Sequence, residues 1–366
     1  MKKIYLVLLS TVSLTTHINL YAAPCAFDNT KSCTLYHDIL NDKASDGLKY
    51  FAPTNYDHRF AGEVEIYNAS LVQPYTDATN APGQIKLVAN LNGNQWSSGE
   101  IMTRRDLNLA PYNSPVNSHA FTTTDLQHGY IEERIKLPRC EVSDDGLCQA
   151  NKNPDTYNRG MWPSIWLLPT MDTNWPQNGE IDIFEAYKSD LGFNDTTTTL
   201  HFNGNSPACG NGDCKFIGFH LPDAIISGPF WNDFHTYGFE WQPDPNSKDG
   251  GVLMTGYFDN VKLWGPLATD SLPSDGPNAF SRGFHDPNGG FYLITALAMG
   301  GPYPGPLNSH LRSASMYIQS IKVYSVNGGT PTPPPSGKCL PPATIQASNT
   351  ADKKSITLTW QQPSGS

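Results

Sequence analysis

The part of this sequence best equipped for chemistry is "GEIDIFEAY", residues 179 to 187, with acids at Glu180, Asp182 and Glu185. Its composition is that of a strand, on which successive side chains alternate faces. Glu180 and Asp182 would then share one face, with Glu185 on the other. A β-bulge in which Ile183 and Phe184 together fill one position returns Glu185 to the face of the first two and turns Ile181 and the Ile/Phe pair toward a core. A row of like charges disfavours the ionised form of each member, a cost that suggests a purpose. Glu180 and Glu185 then stand four effective positions apart, about 13 Å between Cα atoms at a rise of ~3.3 Å per residue. On a sheet curved toward a substrate, the side chains lean inward. Their carboxyls approach the roughly 5 to 5.5 Å at which one attacks an acetal carbon while the other serves the leaving oxygen. A solvated acidic face and a calcium site are the plainer alternatives, though calcium asks for more oxygen donors than three side chains supply.

Trp162, Trp166 and Trp175 lie within twenty residues of the acids. Flat rings with a polar edge suit pyranose faces, and each ring would equally suit core packing. Strand-like segments bounded by turn residues surround them, at 83–91, 129–138, 164–169, 180–186, 196–204, 234–244, 252–264, 290–301 and 315–325. Asp259-Asn260 reads as a two-residue hairpin turn inside one of these segments. No helical period persists for more than about two turns. The expectation is an all-β protein, a two-sheet antiparallel sandwich of jelly-roll, concanavalin-like type with a concave cleft.

Of the 366 residues, 38% are apolar and 16% charged, with 31 Gly and 30 Pro, a composition able to bury a large core. A net charge of -10 argues against nucleic acid and anionic membranes as partners and fits a neutral substrate. Residues 1–22, with a Lys pair, an apolar run and Ala22-Ala23, read as a signal peptide, so the mature chain is expected to be secreted or periplasmic and to act as a monomer. In an oxidising compartment, six of the seven cysteines fall into local pairs, Cys25 with Cys33, Cys140 with Cys148 and Cys209 with Cys214, leaving Cys339 over. "GGTPTPPPSG" at 328–337 marks a Pro-rich linker after a catalytic domain spanning 23–327. Residues 338–366 resemble the opening strands of a fibronectin type III module, with a disordered tail as the alternative.

The motifs "HGYIEERIKLP", "GMWPSIWLLP", "GEIDIFEA", "TLHFNG", "FHTYGFEWQPD", "ALAMGGPYPG" and "YIQSIKVYS" follow one another between residues 60 and 325. Together they resemble family-16 glycoside hydrolases in the bulged form typical of laminarinases, agarases and carrageenases. The resemblance implies Glu180 as nucleophile, Glu185 as general acid and base, and Asp182 as the carboxylate that orients Glu180. It further implies Trp162 and Trp166 lining the subsite near the scissile bond, His201 of "TLHFNG" in the cleft, and Arg104 at a cleft position. His201 would also suit a structural hydrogen bond, and Arg104 a cross-strand ion pair. The implied activity is retaining endo-hydrolysis of β-1,3 or mixed β-1,3/1,4 glucans, without a cofactor. A galactan hydrolase, a transglycosylase and a non-catalytic lectin are the alternatives on the same scaffold. Two positions depart from the pattern. Tyr303 stands where laminarinases often carry Trp, and Gln319 stands where many members bind calcium through Asp, so no metal is expected.

Overall fold

In the computed structural model of this chain the described residues are 16–17, 23–41, 50–57, 59–77, 83–104, 121–150, 157–170, 175–176, 179–188, 194–202, 215–221, 231, 233–248, 250–272, 283–284, 290–327, 344–349 and 356–361. Alternating apolar positions assemble most of them into two stacked sheets. The smaller sheet has six strands, which we label β1 (Glu100–Met102), β2 (Met161–Pro169), β3 (Glu180–Lys188), β4 (Asn194–Phe202), β5 (Lys215–His220) and β6 (Phe291–Met299). Across the sheet they run β5-β4-β3-β2-β6-β1, every neighbour antiparallel. The larger sheet has twelve strands and is centred on Gly129–Ser143, which pairs with both Phe234–Pro243 and Leu311–Val326.

The core lies between the sheets, because each contributes one apolar face to it. From the smaller sheet come Met161, Ile165, Leu167, Ile181, Phe184, Leu200, Leu293 and Leu297, and from the larger Ile131, Ile135, Tyr237, Phe239, Trp241 and Ile321, all buried. Phe184 packs on Tyr237 with ring centroids 3.9 Å apart. One carboxyl, Glu133, enters this layer and accepts a hydrogen bond from the Thr295 hydroxyl at 2.8 Å. The all-β sandwich expected from the sequence is the fold observed.

Each of the nine predicted segments carries a strand, and the 252–264 segment divides as anticipated. Val252–Phe258 and Val261–Ala268 are joined through Asp259 (φ 44°) and Asn260 (φ 65°), the paired positive φ of a tight hairpin. The short strands Thr54–Asp57, Glu65–Asn68 and β1 were not foreseen. The Cys25–Cys33 and Cys140–Cys148 disulfides are present. Cys209, Cys214 and Cys339 lie outside the described residues, as does the 328–337 linker. In the C-terminal segment Thr344–Asn349 and Ile356–Gln361 form an antiparallel hairpin, to which Thr16–His17 pairs as a third strand. Among the described residues no helix is long and apolar enough to cross a membrane.

Candidate active site

The register of β3 contains the irregularity on which the site depends. Against β2, Phe184 faces Ile165 and Asp182 faces Trp166, so Ile183 is the extra residue. Against β4, Asp182 faces Thr199 and Glu185 faces Thr197, again one residue too many on β3. Ile183 and Phe184 are both buried, which gives the chain a reason to hold two consecutive apolar side chains inward at the cost of a bulge. The bulge frees a backbone carbonyl from the ladder, and a buried carbonyl needs a partner. The buried Thr198 hydroxyl donates to the Ile183 oxygen at 3.0 Å. Glu180, Asp182 and Glu185 consequently open onto the same concave face, while Ile181 and Phe184 belong to the core.

Across that face, each interior row of side chains is set by strand pairing. One row reads Met102, Ile294, Trp166, Asp182, Thr199 and Gly218, and the next Glu100, Ala296, Ser164, Glu185, Thr197 and His220. Small side chains in the second row leave a trough across the strands, with aromatic groups along its banks. On one bank Trp162 is packed among Tyr303, Phe60 and Tyr187, with ring centroids 5.6, 6.1 and 6.5 Å away. On the other, Trp175 lies 5.6 Å from the His201 ring, which neighbours the exposed Phe216 at 6.0 Å.

Each glutamate receives an indole N–H. Trp162 Nε1 donates to Glu185 Oε1 at 3.0 Å, and Trp175 Nε1 to Glu180 Oε2 at 2.8 Å. His201 faces Glu180 across the β3–β4 pair, its Nε2 lying 3.7 Å from Glu180 Oε1 and 3.1 Å from Asp182 Oδ2. The second contact is too poorly aligned for a hydrogen bond, so Asp182 Oδ2 is buried without one. Burial lifts Asp182 to about 8, only partly offset by its hydrogen bond with Glu180. Glu180 keeps 14% of its side chain exposed, yet burial first, and then the Asp182 charge, hold its carboxyl well above the usual range. His201 and the Trp175 N–H act in the opposite sense on Glu180, and the Glu185 charge adds to the upward push. Near neutral pH the Glu180–Asp182 pair therefore retains a proton. Ligand atoms of Glu180, Asp182 and His201 lie within 4.8 Å of one another, close enough to share a cation. A cation seated there would occupy the oxygens of Glu180 that chemistry needs free.

The structure thus brings together Glu180, Asp182, Glu185, Trp162 and His201. Trp166 is on the same face opposite Asp182, half-buried among Phe51, Met102, Leu168, Tyr292 and Ile294. Arg104 is tied to the rim: its Nη1 donates to the Thr170 carbonyl at 2.7 Å and its guanidinium lies over Tyr292. At Gln319 the side-chain oxygen accepts from Arg134 Nε at 2.7 Å and the amide donates to Asp77. Sequence reasoning left Trp175 unassigned and missed Arg59 and Glu100. Arg59 donates from Nε and Nη2 to Glu100 at 2.7 and 2.8 Å, over the Trp166 ring. Only the Glu100 position on a strand adjoining the cleft could have signalled this pair.

A two-sheet sandwich with a carboxylate trio on a bulged concave strand, flanked by indoles, defines a jelly-roll protein of the carbohydrate-active class. A family model described as the XgeA-like catalytic GH16 domain matches residues 144–212, a span that contains Trp162, all three acids and His201. The chain is 28% identical over 249 residues to the endo-1,3-1,4-β-glycanase ExsH of Rhizobium meliloti, covering 68% of this chain and 38% of that protein. It is 29% identical over 173 residues to a β-glucanase of Rhodothermus marinus, covering 45% and 52% respectively. The chain spans well under two thirds of the length of these relatives. A family-16 endo-glucanase from Bacteroides ovatus, solved in complex with G4G3G-2F-DNP, shares the fold with a TM-score of 0.50 at 21% identity, over 78% of this chain and 98% of that one. The chain is thus similar to family-16 glycoside hydrolases across the segment that carries the three acids, and the fold it shares with the Bacteroides enzyme is theirs.

Proposed function

We propose that this protein is an exported endo-β-glucanase that cleaves β-1,3 or mixed β-1,3/1,4 glucans with retention of anomeric configuration. The observation that carries the reading is the bulge at Ile183, which aligns Glu180 and Glu185 on one face and gives each an indole N–H. Glu180 is the nucleophile: His201 and the Trp175 N–H favour its carboxylate against burial and the Asp182 charge, and Asp182, beside it on the same face, orients it. Glu185 protonates the leaving glycosidic oxygen. It then takes a proton from the water that releases the sugar from Glu180. Trp162 both anchors Glu185 and offers a ring edge to the trough. The names of the Rhizobium and Rhodothermus relatives point to the same polymer class.

Incubation with laminarin, lichenan, agarose and carrageenan tests the reading. Oligosaccharides are expected from laminarin or lichenan and none from the Glu180→Gln variant. Binding to one polymer without cleavage of any would assign a lectin instead, and release from agarose or carrageenan alone would assign a galactanase.

A further inference from the structure

One end of the trough is built differently from the other. From Glu185, the row toward β1 passes Ser164 and Ala296 and reaches Glu100, three strand spacings or about 14 Å away. There Arg59, from a segment outside the smaller sheet, forms a two-point ion pair with Glu100, whose side chain is 0% exposed against 12% for Arg59. The guanidinium is held between the Tyr56 ring at 5.0 Å and the Trp166 ring at 5.4 Å. The segment bearing it is pinned at its base, since Glu63 Oε2 accepts from the backbone N–H groups of Arg59 and Phe60, both at 2.9 Å. In the opposite direction the same row runs through Thr197 and His220 to the sheet edge, and a Cβ added at nearby Gly218 would meet nothing within 4 Å.

We propose that Arg59 is a specificity-determining residue that closes the β1 end of the trough and selects an uncharged sugar unit there. The proposal rests on the glucanase reading above. Arg59, the partly exposed member of the pair, is placed to donate to hydroxyls of that unit, while the fully buried Glu100 carboxylate orients it from behind. Because the two charges cancel, the end gives no net attraction to a sulfate ester or a uronate. The two-point pairing and the stacking between rings hold the guanidinium in place before substrate arrives, so its hydrogen bonds cost little ordering. A donor at a fixed distance from the acids also sets how many sugar units lie between the closed end and the cleaved bond.

The test compares wild type, Arg59→Ala and Arg59→Lys on neutral β-glucan oligosaccharides of increasing length, with calorimetric binding of the same oligosaccharides measured alongside. In Arg59→Ala, KM and Kd for oligosaccharides long enough to reach the closed end should rise about tenfold, the worth of one or two hydrogen bonds. Those for the shortest substrate should hold, and the product lengths should broaden. Arg59→Lys, which keeps the charge and loses the fork, should shift the same way and decides the matter if the alanine variant fails to fold. In Glu100→Gln, the unmasked guanidinium should raise the cleavage of carboxymethyl-β-glucan relative to neutral glucan. Length-independent losses, or unchanged KM, Kd and product pattern in a folded Arg59 variant, would overturn the proposal, as would an unchanged preference in Glu100→Gln. Wild-type protein that binds the oligosaccharides but cleaves none would count against the glucanase reading, with the Arg59 binding comparison still deciding the subsite.

Discussion

Glu240 on the larger sheet and Asp182 on the smaller one are both withdrawn from water and both bordered by a histidine, yet their surroundings treat them oppositely. Glu240 accepts from His128 Nε2 at 2.8 Å, from Lys31 Nζ at 2.6 Å and from the Tyr257 hydroxyl at 2.8 Å, beneath the segment closed by Cys25–Cys33. Burial alone would raise its pKa, but these donors outweigh it and hold the group below the usual range. Asp182 has His201 misaligned and one oxygen without a donor, and it is lifted to about 8. Glu240 is supplied with donors until it is comfortably ionised. Asp182, to which the proposed chemistry assigns a part, is left short of them, so that a proton stays within reach at neutral pH.

The contrast is broken first at Glu180. Glu180→Gln should lower kcat on laminarin by about 10⁴-fold, roughly 5.5 kcal/mol of barrier, while the melting temperature holds or rises because a strained charge has been removed. At the other pole, Glu240→Ala should cost on the order of 3 kcal/mol in urea unfolding by stranding Lys31 and His128. Its activity per folded molecule should be unchanged. Equal losses of stability in the two variants would erase the distinction drawn here.

Glu133 sharpens the comparison, because it is buried between the sheets, with Thr295 as its hydrogen-bond donor, and has no part in the chemistry. Burial raises it from 4.5 to about 8. In the folded protein it keeps its proton while the unfolded chain gives one up above pH 4.5. The stability this contributes is therefore complete below pH 4.5 and is lost as the pH climbs toward about 8, at about 1.4 kcal/mol per pH unit. Glu133→Gln should remove that slope, so its stability relative to wild type should grow with pH across this window in parallel denaturation series. A constant difference would show that Glu133 is ionised in the fold. The smallest effect is expected at Thr198→Val, which leaves the Ile183 carbonyl without its hydroxyl donor. About 1 kcal/mol of stability should go, and kcat should fall severalfold with KM little changed as Glu185 loses its register.

How much of this was legible in the sequence depended on whether a residue's role is local. Parity along one strand was enough to suggest a bulge between Asp182 and Glu185, because only a bulge sorts all three acids to one face and the apolar residues to the other. Chain proximity was enough for the two disulfides seen, and paired turn formers for the hairpin at Asp259 and Asn260. Trp175 could not be assigned, because its contact with Glu180 arises from how the chain approaches β3 and no periodicity records that. Arg59 and Glu100 lie 41 residues apart and meet only after β1 joins the sheet edge. Thr198 was one of four consecutive threonines, and only the register singles it out. Arg104 shows the converse: an Arg at a cleft position has its Nη1 bonded to the Thr170 carbonyl.

The most direct measurement is covalent trapping. The protein is incubated with a 2-deoxy-2-fluoro β-glucan oligosaccharide bearing a dinitrophenolate leaving group, then weighed intact and mapped by peptide mass spectrometry. The account predicts one sugar adduct per chain, on the peptide containing "GEIDIFEA" and at Glu180, with Glu185→Gln still labelled and Glu180→Gln not. An adduct at Glu185 or elsewhere, or turnover of natural glucan to the inverted anomer, would contradict it.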